Sequence, residues 1–363
     1  MIFPKDIIQK VVRVQEGGPS RFGKVRLDRS ERTHPFSDSF IAKIRERITW
    51  ETLSTYPEPE PVYIKFASFL KQPRERLLFH TGSDLSIRSI FETYISPGDR
   101  VLLHRPGYAM FSVYAKMFGV ETVYREFDSD LGFDYAEYVD TIDGSFRMAV
   151  LENPNGFIGA APPKDMLFKF VDKCEAEGVI AVVDEAYFFF HDITAADLLD
   201  SRENLIIIRT FSKAFGLAGV RAGYLLSSAA NIKDIYKVKP MHELTGFAAL
   251  VIDELLDNAQ EFRGFVKETA GSLKFFREGF ARLGIATSNS VGNFLAARIG
   301  RYAEVADLVA RLQEEGILLR RPFAEQHLKE WVRIGTAPIS SEQRVLDVVR
   351  EMMKNKGASY DGL

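Results

Sequence analysis

The chain has 363 residues, 46% of them hydrophobic and 27% charged, with a net charge of −3 at pH 7. That length suits one large domain with a smaller one, and so mild an acidity gives no electrostatic reason for a nucleic acid or an anionic membrane as partner. A single cysteine, Cys174, excludes an intramolecular disulfide and suits a reducing compartment.

The first eighteen residues, MIFPKDIIQKVVRVQEGG, are broken by charge every few positions and carry no apolar core of signal-peptide length. No apolar run reaches the roughly 18–20 residues that a membrane helix needs, so a soluble, cytoplasmic protein is expected. The middle of the chain has the rhythm of an α/β sheet. Short apolar runs read as buried parallel strands: RVLLHR (100–105), RMAVLENP (147–154), IAVVDEAY (180–187), NLIIIRTFS (204–212) and AGYLLS (222–227). Amphipathic stretches such as PKDMLFKFVDKCEAEG lie between several of them; Cys174, near the end of that one, has no histidine partner nearby and reads as structural. Polar or glycine-bearing turns at GSD, RPGY, NPNG and FSKAFG punctuate this region. In open α/β sheets the carboxyl ends of strands bind ligands, so these turns are where chemistry is expected.

After about Lys239 the texture changes. Residues 246–284 predict one or two long amphipathic helices, and NFLAARIG, EVADLVARLQEEGILLRR and WVRIGTA predict a small α+β unit. The expected division is 51–240 for the large domain, with 1–50 and 241–363 forming the smaller one.

The most informative segment is RTFSKAFGLAGVRAGY, Arg209 to Tyr224. Thr210 and Ser212 offer hydroxyls, Lys213 can form an imine, and Arg221 can pair bidentately with phosphate. A lysine that is to act as a nucleophile needs a desolvated or cation-rich setting favouring its neutral form. Taken alone, the dipeptide Ser212–Lys213 reads as a solvated surface loop. In VVDEAYFFF, Asp184 closes an apolar run and so sits at the end of a buried strand, where a carboxylate is costly unless paired. A pyridinium nitrogen would be a fitting partner; a strand-end cap is the bland alternative.

Together, SKAFGLAGVRAGY and the upstream DEAY resemble the class I/II aminotransferases that use pyridoxal 5′-phosphate (PLP), within them the histidinol-phosphate aminotransferase branch. The resemblance continues in order through STYPEPEP (54–61), GSDLSI (82–87), RPGYAMFSVYAKMFGVE (105–121), LENPNGFIG (151–159), RRPF and WVRIGTA. It implies the fold type I architecture of PLP-dependent transferases: α/β, with a mostly parallel, seven-stranded type of sheet between helices and a small α+β domain. By the same resemblance Lys213 is the Schiff-base lysine and general base, Asp184 partners the pyridinium nitrogen, and Tyr187 bonds the phenolate oxygen. Tyr108 stacks on the ring. Gly82, Ser83, Asp84, Ser212 and Arg221 form the phosphate cup, with Thr210 nearby. Arg333 takes the substrate carboxylate, and Arg320, or Arg321 beside it, takes an anionic substrate tail. Glu31 falls near the site mouth. Tyr56 reaches the neighbouring subunit's phosphate, which implies a homodimer.

Three positions depart from the branch. The asparagine that usually contacts the phenolate oxygen is replaced by Gly156, so that Asn155 is expected to shift into that contact unless Tyr187 and a water serve alone. Arg32 sits beside Glu31, and His242–Glu243 stand where small polar residues are common. These departures point to a specialised relative acting on a different small oxo or amino substrate. Glutamate is the expected amino donor, and no metal site is expected. A decarboxylase of a phosphorylated amino acid is an alternative, and a non-catalytic ligand sensor a weaker one. No GxGxxG follows a strand, which sets aside a nicotinamide dehydrogenase.

Overall fold

In the computed structural model, which describes residues 3–9, 11–12 and 20–355, eleven strands can be followed in chain order. They are β1 Val25–Arg26, β2 Leu77–His80, β3 Arg100–Arg105, β4 Glu121–Glu126, β5 Phe146–Glu152, β6 Ile180–Asp184, β7 Leu205–Thr210, β8 Gly223–Ser227, β9 Phe294–Ala297, β10 Ile317–Leu318 and β11 Val332–Gly335. Seven of them form the central sheet in the order β2-β8-β7-β6-β5-β3-β4. The five apolar runs all lie in it. One expectation fails: β8 runs antiparallel to both β7 and β2. The link from Thr210 to Gly223 contains only the short turn Ala218–Val220 and no crossover helix, so the chain must reverse. The sequence reading also passed over β2, which has only four residues, and β4, an edge strand whose ETVYRE pattern is too polar to read as buried.

Both faces of the sheet are covered. One face carries Leu102, Leu151, Val183, Ile207 and Leu226, packed under Phe66, Phe170 and Phe211. The other carries Val101, Val150, Val182, Ile206 and Leu225, packed under Ile87, Ile90 and Phe111. A further core gathers Leu27 with Phe276, Phe280, Leu295, Leu308, Val332 and Val345. It holds β9 against β11, and β1 pairs with β10 beside it. Phe40, Ile44 and residues from Leu244 to Phe262, which the expected division assigns to the smaller unit, pack in the core of the large sheet instead. Residues 1–2, 10, 13–19 and 356–363 of that expected unit lie outside the described residues. The long amphipathic stretch resolves into two helices, Gly246–Asp257 and Gln260–Arg282; the side chain of Thr245 caps the first by accepting from Ala248 N at 3.0 Å.

The aromatic cluster on one face fixes the loop that matters most. Phe66 meets Phe211 at 5.0 Å and Tyr224 at 4.8 Å between ring centroids, and Phe211 meets Phe215 at 4.8 Å. Phe211 and Phe215 flank Lys213 at two residues on either side and are fully buried, so the turn is nailed to the core at both ends. Phe66→Ala is expected to cost about 3–5 kcal/mol, read as a lower urea midpoint of unfolding; an unchanged midpoint would contradict this packing account.

Candidate active site

The carboxyl ends of the parallel strands converge on one locus. Asp184 ends β6, Glu152 ends β5, and the two are register partners. Thr210 ends β7 and leads into Lys213; Arg105 ends β3 and leads into Tyr108. Lys213 Nζ donates to the carbonyls of Arg29 at 2.7 Å and Ser30 at 3.5 Å and lies 5.6 Å over the Tyr187 ring. Desolvation first, and then the charge of Arg333, lowers its pKa to about 7. The amine is therefore substantially neutral at physiological pH, which an ordinary lysine is not. Asp184 is buried and accepts one backbone bond, from Ala186 N at 3.0 Å. Burial, and next the repulsion of Glu152, raises its pKa.

Beside these groups is an anion cradle. The helix Ser83–Tyr94 starts at Gly82 (φ +79°) with no side-chain cap, so its first N–H groups are not taken by a capping side chain. Arg221, in the left-handed region at φ +57°, brings Nη2 to 3.7 Å from Asp84 Oδ2. A Cβ on Gly82 would stand 2.8 Å from Arg221 Nη2, and one on Gly223 would stand 2.5 Å from Ser83 N. Both glycines are thus needed for strand, helix start and guanidinium to approach one another. Thr210 Oγ1 accepts from Ser212 N at 3.1 Å, which fixes the serine beside Lys213. The Tyr108 hydroxyl donates to Asp84 at the same helix start.

Two guanidiniums close the opposite side. Buried Arg333 donates from Nη1 to Gly156 O at 2.6 Å and from Nη2 to Asp28 O at 2.7 Å, and burial lowers its pKa to about 10. Its Nε is buried without a partner. Arg320 turns inward over the Phe157 ring at 4.4 Å, whereas Arg321 is exposed. Of the two arginines weighed in the sequence, Arg320 is the one at the site. Tyr187 is buried against Phe294 at 5.2 Å between centroids and has its hydroxyl 3.9 Å from where a Gly156 side chain would begin.

Other expected residues do not converge. Asn155 is buried with its amide committed to its own turn: Nδ2 donates to Pro106 O at 2.9 Å and Oδ1 accepts from the backbone of Phe157 and Ile158. It does not shift into the place left by Gly156, because the turn would lose all three bonds. Glu31 is held by Arg21 at 2.9 Å and Arg26 at 3.0 Å rather than facing open space. Tyr56 is 75% exposed and stacks on His242 at 4.4 Å, away from the Lys213 locus of this chain. Arg32 is buried and donates to the carbonyls of His34, Pro35 and Glu261, a structural clasp that packs over Gly216. Cys174 is buried in the core, where desolvation raises its thiol pKa. Among the described residues no cluster could hold a metal ion, and no helix is long and apolar enough to cross a membrane.

Sequence reasoning missed Glu152 and His104. Glu152 accepts from Tyr108 N and, at 2.7 Å, from Gly156 N. His104 is buried and neutral, its pKa lowered to about 4 by desolvation, and its Nε2 accepts from Glu152 N at 3.1 Å. The signal was present, since both residues close apolar runs as Asp184 does, but the resemblance implies a role for neither, although Glu152 lies within LENPNGFIG.

Residues 44–349 match the family described as aminotransferase class I and II. The chain belongs to that family and is an aminotransferase, and pyridoxal 5′-phosphate is its cofactor. It is 27% identical over 338 residues to the histidinol-phosphate aminotransferase of Caldanaerobacter subterraneus subsp. tengcongensis, covering 91% of this chain and 93% of the relative. It is 28% identical over 333 residues to histidinol-phosphate aminotransferase 1 of Carboxydothermus hydrogenoformans, with the same coverage. Its fold superposes on the histidinol-phosphate aminotransferase of Sinorhizobium meliloti in complex with PLP with a TM-score of 0.85, 22% identity and 97% of each chain covered. It also superposes on the L-threonine-O-3-phosphate decarboxylase of Porphyromonas gingivalis, with a TM-score of 0.78, 18% identity, and 91% and 99% covered. The residues present fit the cofactor: an uncapped helix start with Arg221 suits its phosphate, a scarcely compensated buried Asp184 suits a protonated ring nitrogen, and a neutral Lys213 suits an aldehyde.

Two outcomes test this geometry. A depressed lysine pKa means that the reactive neutral amine is populated above about pH 7. Capture of PLP by the cofactor-free protein should therefore speed up through pH 7 and then level off; a rate still climbing towards pH 10 would indicate an ordinary lysine. Gly223→Ala should weaken PLP binding about tenfold by displacing Ser83 N, while binding of pyridoxal without its phosphate changes little; equal losses for both would contradict the cradle.

Proposed function

We propose that this aminotransferase takes an amino group from a dicarboxylic amino acid, glutamate first, and gives it to a small carbonyl compound bearing a second anionic group, with phosphate the leading choice. The observation that carries the reading is Arg320 and Arg333 facing one locus with Lys213. Both guanidiniums help lower the lysine's pKa, and Phe157 lies beside both. A substrate with one anionic group at each end would satisfy both and relieve their mutual repulsion.

In this reading Arg333 grips the α-carboxylate, and Arg320 swings from Phe157 to the distal carboxylate or phosphate. Lys213 Nζ would take the proton from the substrate α-carbon and return it two atoms away, to the carbon of the cofactor's aldehyde, a task suited to a base poised near neutrality. Bound at this locus, PLP supplies the electron sink for the α-carbon's electron pair. Asp184 holds the ring nitrogen's proton, and Tyr187 offers its hydroxyl to the ring oxygen. Tyr108 covers one face, while Gly82, Ser83, Asp84, Ser212 and Arg221, backed by Thr210, hold the phosphate. Because Asn155 is committed to its turn, Gly156 leaves that oxygen to Tyr187 alone or to a neighbouring group. Glu31 acts at the mouth through its charge on Lys213.

We further infer a homodimer in which Tyr56 reaches the partner's site. Trp50, Leu53, Tyr56 and Met241 are 74%, 76%, 75% and 83% exposed on adjoining segments, an apolar surface that a second copy would cover. We also infer a reducing, cytoplasmic placement, a reading supported by the buried free thiol of Cys174. The decarboxylase reading has only fold likeness behind it.

Glutamate added to the PLP-loaded protein should bleach its visible band to the pyridoxamine form, and Lys213→Ala should bind PLP without turnover. Arg320→Ala should lose about a hundredfold in kcat/KM for glutamate but little for alanine, whereas Arg333→Ala loses comparably for both. Carbon dioxide release with no bleaching would favour decarboxylation, and an Arg320→Ala loss no larger for glutamate than for alanine would remove Arg320 from recognition of the distal anionic group.

A further inference from the structure

Glu152 is a buried carboxylate that the chemistry described so far does not use. Placing a charged group at the end of a buried strand is costly, and that cost is met only by well-placed donors. Its two oxygens are spent on donors from two separate loops. Oε1 accepts from the backbone N–H of Tyr108, and Oε2 accepts from that of Gly156 at 2.7 Å. The loops are built to allow this approach. A Cβ on Gly107 would stand 3.0 Å from Oε1, and one on Gly156 would stand 3.4 Å from Oε2.

The contacts continue beyond these two donors. The carbonyl of Gly156 accepts from Arg333 Nη1 at 2.6 Å, so the residue that Glu152 holds by its N–H is held by the substrate arginine at its C=O. Tyr108 is tied at its other end by its hydroxyl to Asp84. His104 Nε2 receives the N–H of Glu152 itself, and Asn155 Nδ2 ties Pro106 O to the same turn. A continuous chain of contacts thus runs from the cradle helix through Tyr108, Glu152 and Gly156 to Arg333.

We propose that Glu152 is a positioning residue of this aminotransferase: its carboxylate sets the plane of Tyr108 against the cofactor ring and fixes that ring face relative to Arg333. This rests on the function proposed above. Two acceptor oxygens on one rigid side chain measure the separation of the two loops, which an apolar residue of similar volume could fill but not fix.

The test is a double-mutant cycle between Glu152→Ala and Tyr108→Ala, read as the dissociation constant for PLP and the circular dichroism of its visible band. Tyr108→Ala keeps the N–H that Glu152 binds and removes only the ring that it is proposed to orient. In the wild-type background Glu152→Ala should weaken PLP binding about ten- to hundredfold and diminish the visible dichroism. In the Tyr108→Ala background the same change should cost less than about twofold. Should Glu152→Ala fail to fold, Glu152→Gln, which keeps one accepting oxygen, goes through the same cycle with a smaller loss expected. Equal losses in both backgrounds would overturn the proposal and leave Glu152 a structural carboxylate. Failure of the wild-type protein to show any visible band with PLP would overturn the functional reading itself, and this proposal with it.

Discussion

The burial of several ionisable groups at the carboxyl edge of the sheet is the constraint on which the rest of this structure depends. Asp184 and Glu152 are register partners on adjacent strands, and burial pushes both towards their neutral forms. Arg333, Arg320 and Lys213 lie nearby, and desolvation lowers the proton affinity of each. Every one of these groups is displaced towards the form that water would not favour. A cofactor with an anionic phosphate, a basic ring nitrogen and an aldehyde, together with an anionic substrate, supplies the opposite charges that such a site lacks.

That electrostatic arrangement holds only because the framework around it is rigid. The turn that carries Lys213 is kept in place by the buried phenylalanines on either side of it, and its Nζ by the carbonyls of Arg29 and Ser30. The cradle depends on Gly82 and Gly223, where any side chain would collide with Arg221 or Ser83. Tyr108 is tied at its backbone and at its hydroxyl. The catalytic locus is thus assembled by sheet packing and loop clasps, and Arg320 rests on the ring of Phe157 beside it.

The parts legible in the sequence were those with a local signature. Lys213 stood in a glycine-rich turn after an apolar run, Asp184 closed such a run, and Arg333 sat inside a short strand; the structure brings all three to one edge. What depended on pairing across the fold could not be read. The reversal of β8 follows from a connection too short to cross over, and the segment 244–262 joined the large core through contacts with distant helices. Asn155 looked like a replacement for the residue lost at Gly156, but its amide is used up within its own turn. Glu31 is held by arginines on its own segment. Glu152 was passed over because its partners, the backbone N–H groups of Tyr108 and Gly156, carry no side-chain signature.

The central claim is that Lys213 is the residue that carries PLP. The most direct test is borohydride reduction of the PLP-loaded protein, followed by peptide mapping with mass spectrometry. The account predicts a phosphopyridoxyl group on the peptide containing Lys213 and on no other, at one per chain. A label on a different lysine, or one scattered over several, would contradict it.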